Sequence, residues 1–138
     1  MYRYFSNKNE KNEFIEKWKK LENICNIAFD GIKDNTLDEV FTRYMYFQRA
    51  KQENKLTTTE ALRKFYEKAD YAVLKNDFAI NDLIDLACFW RDVETQDQNR
   101  FSNHILKQLS ILDNGPNSMW TYMVSVYYLR VCPKIKLN

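Results

Sequence analysis

The sequence predicts an all-α fold, a compact bundle of about six helices in a single domain (residues 1–138). The first observation is that only 2 Gly and 2 Pro occur in 138 residues, whereas β-sheets need many tight turns that use these residues. The second is that apolar residues, 45% of the chain, recur at spacings of three and four, as on one face of a helix. A chain of this length buries enough surface to form a core without disulfides or metal.

Six segments carry the helical periodicity, at about residues 9–29, 36–51, 57–69, 77–93, 101–112 and from 118 onward. Capping-box patterns predict the starts of the second and third segments, Thr36-x-x-Glu39 and Thr57-x-x-Glu60. Asn76 or Asp77 is the predicted cap of the fourth. These start signals place the helix boundaries independently of the apolar pattern.

The last two predicted helices differ in character. The fifth has a conventional apolar face, which is expected to pack on the bundle: Phe101, Ile105, Leu106, Leu109 and Leu112. The sixth is apolar on nearly every side, as central or interface helices are. A buried central helix and a partner surface are equally good interpretations of it.

Charge and cysteine content narrow the class of protein. The net charge is only +2, from 21 basic and 19 acidic residues, which argues against a domain built to wrap DNA but leaves a local basic patch open. Cys25, Cys88 and Cys132 are odd in number and widely spaced, as free thiols of a reducing compartment are. Neither an apolar run of membrane-spanning length nor a secretory signal is evident. A cytoplasmic protein without membrane contact is therefore expected.

The sequence offers little to build a catalytic centre. With one His and no Cys-x-x-Cys pair, a zinc site within the chain is improbable. His104 is expected to face solvent, and the cysteines to pack as small apolar residues. Asp82 and Asp85 are interpreted as helix-stabilising acids near an N-terminus, and two glycines cannot form a phosphate-binding loop. We therefore predict no enzyme activity, cofactor or metal for this chain alone.

The remaining functional candidates are surfaces. Arg43, Tyr44, Tyr46 and Arg49 mix guanidinium and aromatic groups, a composition that can stack on bases. Helical core flanked by solvated arginines is the commoner explanation of such a segment. The predicted partner surface combines residues of the second and sixth helices: Arg43, Tyr46, Arg49, Trp120 and Tyr128.

Three stretches of the sequence carry a family resemblance. They are Phe41–Phe47 followed by Arg49-Ala50-Lys51, then Leu56–Glu67, and finally Phe89–Val93 with Met119–Tyr122 and Val124–Tyr127. Over about residues 10–130 the chain resembles the helical region of bacterial proteins with an N-terminal ParB-like domain, relatives of the GmrSD-type modification-dependent restriction systems.

The resemblance implies a region that lies between active domains. In that family the ParB-like domain carries an Asp-Gly-Gln-Gln-Arg motif, and a His-Asn-His-type nuclease domain often follows the helices. Neither motif is present, since Asp30-Gly31 continues as Ile32-Lys33 and His104 stands alone. The expected function is a non-catalytic linker or scaffold within a larger protein, whose partners are the flanking domains. The alternative is a free-standing adaptor for a protein or nucleic acid.

Overall fold

The described part of the chain consists of six α-helices and contains no β-strand, which confirms the all-α class. The computed structural model describes residues 8–31, 35–52, 61–69, 71–75, 78–115 and 119–136. The helices are α1 (Lys8–Ala28), α2 (Thr36–Lys51), α3 (Leu62–Glu67), α4 (Ala79–Glu94), α5 (Asn103–Asp113) and α6 (Met119–Lys136). Within those ranges, no helix combines the length and apolarity that crossing a membrane requires.

The start of α2 differs from its prediction. Asn35, not Thr36, caps the helix: its side-chain Oδ1 accepts a hydrogen bond from the backbone N–H of Leu37 at 3.0 Å. Thr36 Oγ1 instead donates to Asn26 Oδ1 of α1 at 2.9 Å. The capping box predicted at Thr36 is therefore wrong, because a better-placed asparagine takes the free backbone donor. The predicted caps at Thr57, Asn76 and Asp77 lie outside the described residues.

Two helix pairs form the bundle, α1 packed along α4 and α2 along α6, and α2 also contacts α1, α3 and α4. Spacings of seven, four and three bring Phe14, Leu21, Cys25 and Ala28 to the buried side of α1. Opposite them, α4 buries Leu83, Leu86 and Ala87 completely. Each fully buried leucine side chain contributes about 1.5–3 kcal/mol, so the α1–α4 contact is a principal source of stability.

Helix α5 is the exception to the predicted packing, because none of its residues is buried. Ile105 and Leu112, expected to face the core, are 46% and 43% exposed. Only Leu106 and Leu109 are partly covered within the helix. Phe101, just before α5, does pack on the core through an edge-on contact with Phe89 at 5.6 Å between ring centroids. The reason for this weak packing is a cavity beneath α5.

Helix α6 has one buried side and one exposed apolar side. Its inner side buries Thr121, Ser125, Tyr128 and Leu129. On its outer side, three apolar residues four positions apart are 52%, 74% and 65% exposed: Met119, Met123 and Tyr127. The described part of α6 is thus partly a core helix and partly an apolar surface.

Polar contacts attach the turn between α4 and α5 to α6. Arg100 donates from Nη1 to Asp92 Oδ2 at 2.6 Å and from Nη2 to Tyr128 Oη at 2.6 Å. The Tyr128 hydroxyl donates in turn to Asp85 Oδ1 at 2.8 Å. The Tyr128 ring stacks on Phe89 with centroids 4.3 Å apart. Arg100 therefore fixes α6 relative to α4.

Candidate functional site

Arg43 is a buried cation near the middle of α2, only 7% exposed. Its guanidinium group lies 4.7 Å from the centroid of the Phe29 ring and 4.3 Å from that of Trp90. Glu39, one turn earlier, accepts with Oε1 from Nε at 3.0 Å and from Nη2 at 2.9 Å. Burial lowers the pKa of Arg43 and the carboxylate of Glu39 opposes that shift. Arginine starts from so high a pKa that it stays charged.

Among the residues that the structure describes, one terminal nitrogen of this guanidinium group has no hydrogen-bond partner. Within the described part of the chain, the hydrogen bonds and ion pairs of Arg43 use Nε and Nη2, and none uses Nη1. No fully enclosed side-chain nitrogen or oxygen there lacks a partner, so Nη1 must border accessible space. Arg43 lines a cavity of about 270 Å³, which we call the Arg43 cavity.

The ends of three helices meet around the Arg43 cavity. Ala28 is the last residue of α1, Glu94 of α4 and Asp113 of α5, and all three line it. A helix C-terminus carries a partial negative charge, and Glu94 and Asp113 add two exposed carboxylates. The mouth of the cavity is therefore electronegative, whereas the guanidinium group inside it belongs to Arg43, whose charge is shared with Glu39.

Aromatic and aliphatic side chains form part of the lining of the Arg43 cavity, beside its polar and charged residues. Trp90 and Trp120 line it and contact each other with centroids 5.6 Å apart. Leu106 and Leu109 of α5 form another part of the lining. This explains why α5 buries nothing fully, since its inward leucines face open space instead of another helix.

The structure separates the residues of the predicted partner surface. Arg43 and Trp120 meet at the Arg43 cavity, whereas Tyr46 stacks on Tyr122 of α6 at 4.5 Å. Arg49, whose guanidinium carbon is 5.6 Å from the centroid of the Tyr46 ring, is buried, and so are Arg43 and Tyr128. Three of the five therefore lie inside the bundle and do not form an exposed patch. The reason is tertiary packing: Phe29 and Trp90 cover Arg43, and Tyr128 stacks on Phe89 of α4.

Several cavity residues were not among the sequence candidates, namely Phe29, Trp90, Glu94 and Asp113. Glu94 and Asp113 lie at predicted helix ends, and this position is the sequence feature that could have identified them. Which helix ends come together, however, depends on tertiary packing.

Among the residues whose side chains the structure describes, those considered for nucleophilic or metal chemistry are not gathered into a site, and the side chain of Cys132 lies outside this set. His104 is exposed on α5, and Cys25 is fully buried in α1. Burial raises the pKa of the Cys25 thiol to about 12, with smaller contributions from Cys88 and Glu22. In the ranges that the structure describes, no three His, Cys, Asp or Glu residues lie close enough to hold a metal ion.

Cys25 is expected to resist alkylation in the folded protein. The thiolate is the reactive form, and both burial and the raised pKa suppress it. Treatment with iodoacetamide at about pH 8, near the ordinary thiol pKa of about 8.5, should leave Cys25 unmodified by peptide mass spectrometry. Unfolding in guanidinium chloride should restore its labelling. Rapid labelling of Cys25 without denaturant would contradict the buried position.

A second cleft, of about 450 Å³, lies where α2 meets the start of α4. Gln48 Nε2 donates to Tyr44 Oη at 2.9 Å, and the Tyr44 hydroxyl donates to Asp82 Oδ2 at 3.4 Å. Asp82 stands in the first turn of α4, where a carboxylate complements the helix dipole. Burial raises the pKa of Asp82, Tyr44 partly opposes the shift, and Asp85 adds to it.

Because the pKa of Asp82 is raised in the folded protein, its contribution to the free energy of unfolding should fall as pH rises. Its ordinary pKa is 3.8, and between that value and its higher pKa in the folded protein, the folded state binds more protons than the unfolded state. The free energy of unfolding therefore loses this contribution as pH rises through that window. Asp82→Asn should remove that slope in urea titrations at successive pH values, while Asp38→Asn, at an exposed position, serves as the control. A slope unchanged by Asp82→Asn would contradict the assignment.

Fold and cavity together define an all-α bundle with a partly open, charged cavity at the junction of its helix ends. No protein-family model, curated protein or solved structure matches this chain. The resemblance to the helical region of ParB-like proteins therefore remains a prediction from the sequence.

Proposed function

We propose that this chain is a non-catalytic helical scaffold that supports adjacent active domains of a larger, restriction-related protein, and that α6 contacts them. The observation that carries the proposal is the exposed apolar stripe of α6, formed by Met119, Met123 and Tyr127. Side chains four residues apart share one side of a helix. Such a stripe is the usual way in which an amphipathic helix meets a hydrophobic groove.

The inner side of α6 is firmly held, which suits a docking element. Trp90 Nε1 donates to Ser125 Oγ at 2.8 Å, and the Ser125 hydroxyl donates to the Thr121 carbonyl at 2.8 Å. Tyr122 and Tyr128 stack on rings of α2 and α4. A surface already held in its binding conformation loses less entropy when a partner binds.

Two further observations support a role in binding over one in catalysis. The Cys25 thiol is buried with a raised pKa, and His104 stands apart on an exposed helix. The family resemblance indicates which partner to expect, namely a ParB-like or nuclease domain encoded beside this chain. The exposed stripe then becomes the surface that meets this neighbour.

Binding between separately produced parts tests this proposal. The domains encoded on either side of this chain would be titrated with it by isothermal calorimetry. Met123→Glu should weaken binding at least about tenfold, equivalent to about 1.4 kcal/mol, because it places a charge in an apolar contact. Ile27→Glu is the matched control, since Ile27 is also exposed but lies on α1. Equal effects of the two variants, or a gene that encodes only this chain, would contradict the proposal.

The alternative of a nucleic-acid adaptor has weaker support. Arg43 and Arg49, the guanidinium groups that suggested base stacking, are buried. Fluorescence anisotropy of labelled DNA and RNA at low salt tests it, because phosphate contacts weaken as salt rises. A salt-dependent increase in anisotropy would favour the adaptor.

A further inference from the structure

We propose that the Arg43 cavity binds a small zwitterion, a free α-amino acid. The proposal rests on the charge arrangement of this cavity, with the Arg43 guanidinium inside and carboxylates at the mouth, and on the leucine and tryptophan side chains in its lining. It is independent of the scaffold role assigned to α6.

The inner end of the cavity suits a carboxylate. Glu39 engages Nε and Nη2 of Arg43, so Nη1 is left to meet another acceptor. Phe29 and Trp90 hold the guanidinium plane in place. A guanidinium group already fixed in its binding geometry loses little entropy on forming a charge-assisted hydrogen bond.

The mouth of the cavity suits an ammonium group. Glu94 and Asp113 line it, and each is the last residue of its helix, as Ala28 is of α1. The partial negative charges of three helix ends add to the two carboxylates. A simple anion would be repelled at this mouth, and a simple cation would meet Arg43 inside. A molecule that carries both charges satisfies both ends.

The volume and the lining residues of the Arg43 cavity restrict the choice of amino acid. A volume of about 270 Å³ is below the range of about 300–1,000 Å³ typical of pockets for drug-sized molecules. Trp120, Leu106 and Leu109 offer apolar surface to a side chain. An aliphatic amino acid such as leucine is therefore the expected ligand.

Nuclear magnetic resonance of the ¹⁵N-labelled chain provides the test. Each common L-amino acid would be added in turn, and the indole N–H signals of the three tryptophans followed. Leucine should shift the signals of Trp90 and Trp120. Trp18 is an internal control, because it packs on Phe14 and Phe41 away from the Arg43 cavity. The matched probes 4-methylpentanoate and 3-methylbutylamine, which lack the ammonium and the carboxylate, should each bind at least about tenfold more weakly.

Variants at the exposed mouth keep the test independent of folding. Asp113→Asn and Glu94→Gln should weaken leucine binding and reduce its advantage over 4-methylpentanoate. Glu16→Gln removes an exposed acid of α1 and should change nothing. Arg43→Lys, which keeps the charge but lacks Nη1, should abolish the tryptophan shifts.

Three results would each overturn the proposal. The first is the absence of Trp90 and Trp120 shifts with every amino acid up to about 10 mM, a concentration that detects even millimolar affinity. The second is equal binding of leucine and 4-methylpentanoate. The third is an unchanged leucine affinity in Asp113→Asn and Glu94→Gln.

Discussion

Replacing Trp90 with alanine is expected to lower the free energy of unfolding by about 4 kcal/mol, within the range for deleting a buried aromatic side chain. Trp90 is only 4% exposed and contacts residues of both α2 and α6. Its indole N–H donates to Ser125 Oγ at 2.8 Å, and its ring covers Arg43 at 4.3 Å and contacts Trp120 at 5.6 Å. Alanine leaves a void, and both the hydroxyl and the guanidinium group lose a neighbour.

Urea unfolding followed by circular dichroism measures this loss. Trp90→Phe keeps much of the ring but removes the N–H donor, so it should cost less than the alanine variant. Trp18→Ala is the comparison at a half-buried position on α1 and should also cost less. If Trp90→Ala lowered stability by less than about 1 kcal/mol, the typical value for an arbitrary substitution, the packing described around Trp90 would be wrong.

Replacing Arg100 with methionine is expected to lower the free energy of unfolding by about 2–3 kcal/mol. Asp92 is buried, and its Oδ2 accepts from Arg100 Nη1 at 2.6 Å. Removing one partner of a buried pair leaves an uncompensated charge and is usually costly, about 3–5 kcal/mol. Arg91 Nε still donates to Asp92 Oδ1 at 3.1 Å and Arg100 is partly exposed, so the expected cost lies at or just below the lower end of that range. Tyr128 loses its Arg100 donor as well.

The exposed ion pair of α3 provides the control for Arg100. Arg63 Nε lies 2.7 Å from Glu67 Oε1, but the Arg63 side chain is 88% exposed. Exposed pairs contribute about 0–1 kcal/mol, so Arg63→Met should hardly change the urea midpoint. Equal effects of Arg100→Met and Arg63→Met would show that the polar network between α4 and α6 does not stabilise the bundle.

The helical architecture was predictable because its causes are local. The scarcity of glycine and proline and the three-and-four spacing of apolar residues depend only on neighbours in sequence. α1 runs over Lys8–Ala28, close to the predicted segment of about residues 9–29. The cap was misplaced at Thr36 because Asn35 and Thr36 both favour the cap position. The hydrogen bond of Thr36 to Asn26 of α1 leaves Asn35 as the cap.

Burial of charge and exposure of apolar faces were not predictable from the pattern. Periodicity shows which side of α5 is apolar, but not that a cavity lies opposite Leu106 and Leu109. Arg43 was expected at the surface because an arginine is rarely buried without partners. Its partners Phe29 and Trp90 come from other parts of the chain. The Arg43 cavity is therefore a product of tertiary packing.

Oxidative footprinting of α6 tests the proposed docking role most directly. Hydroxyl radicals would be applied to this chain alone and to the full protein that its gene encodes, with oxidation of each residue measured by mass spectrometry. Met123 is 74% exposed and Phe78, at the start of α4, is 72% exposed. The scaffold account predicts that Met119 and Met123 become protected in the full protein while Phe78 keeps its reactivity. Equal oxidation of Met123 in both samples would contradict it.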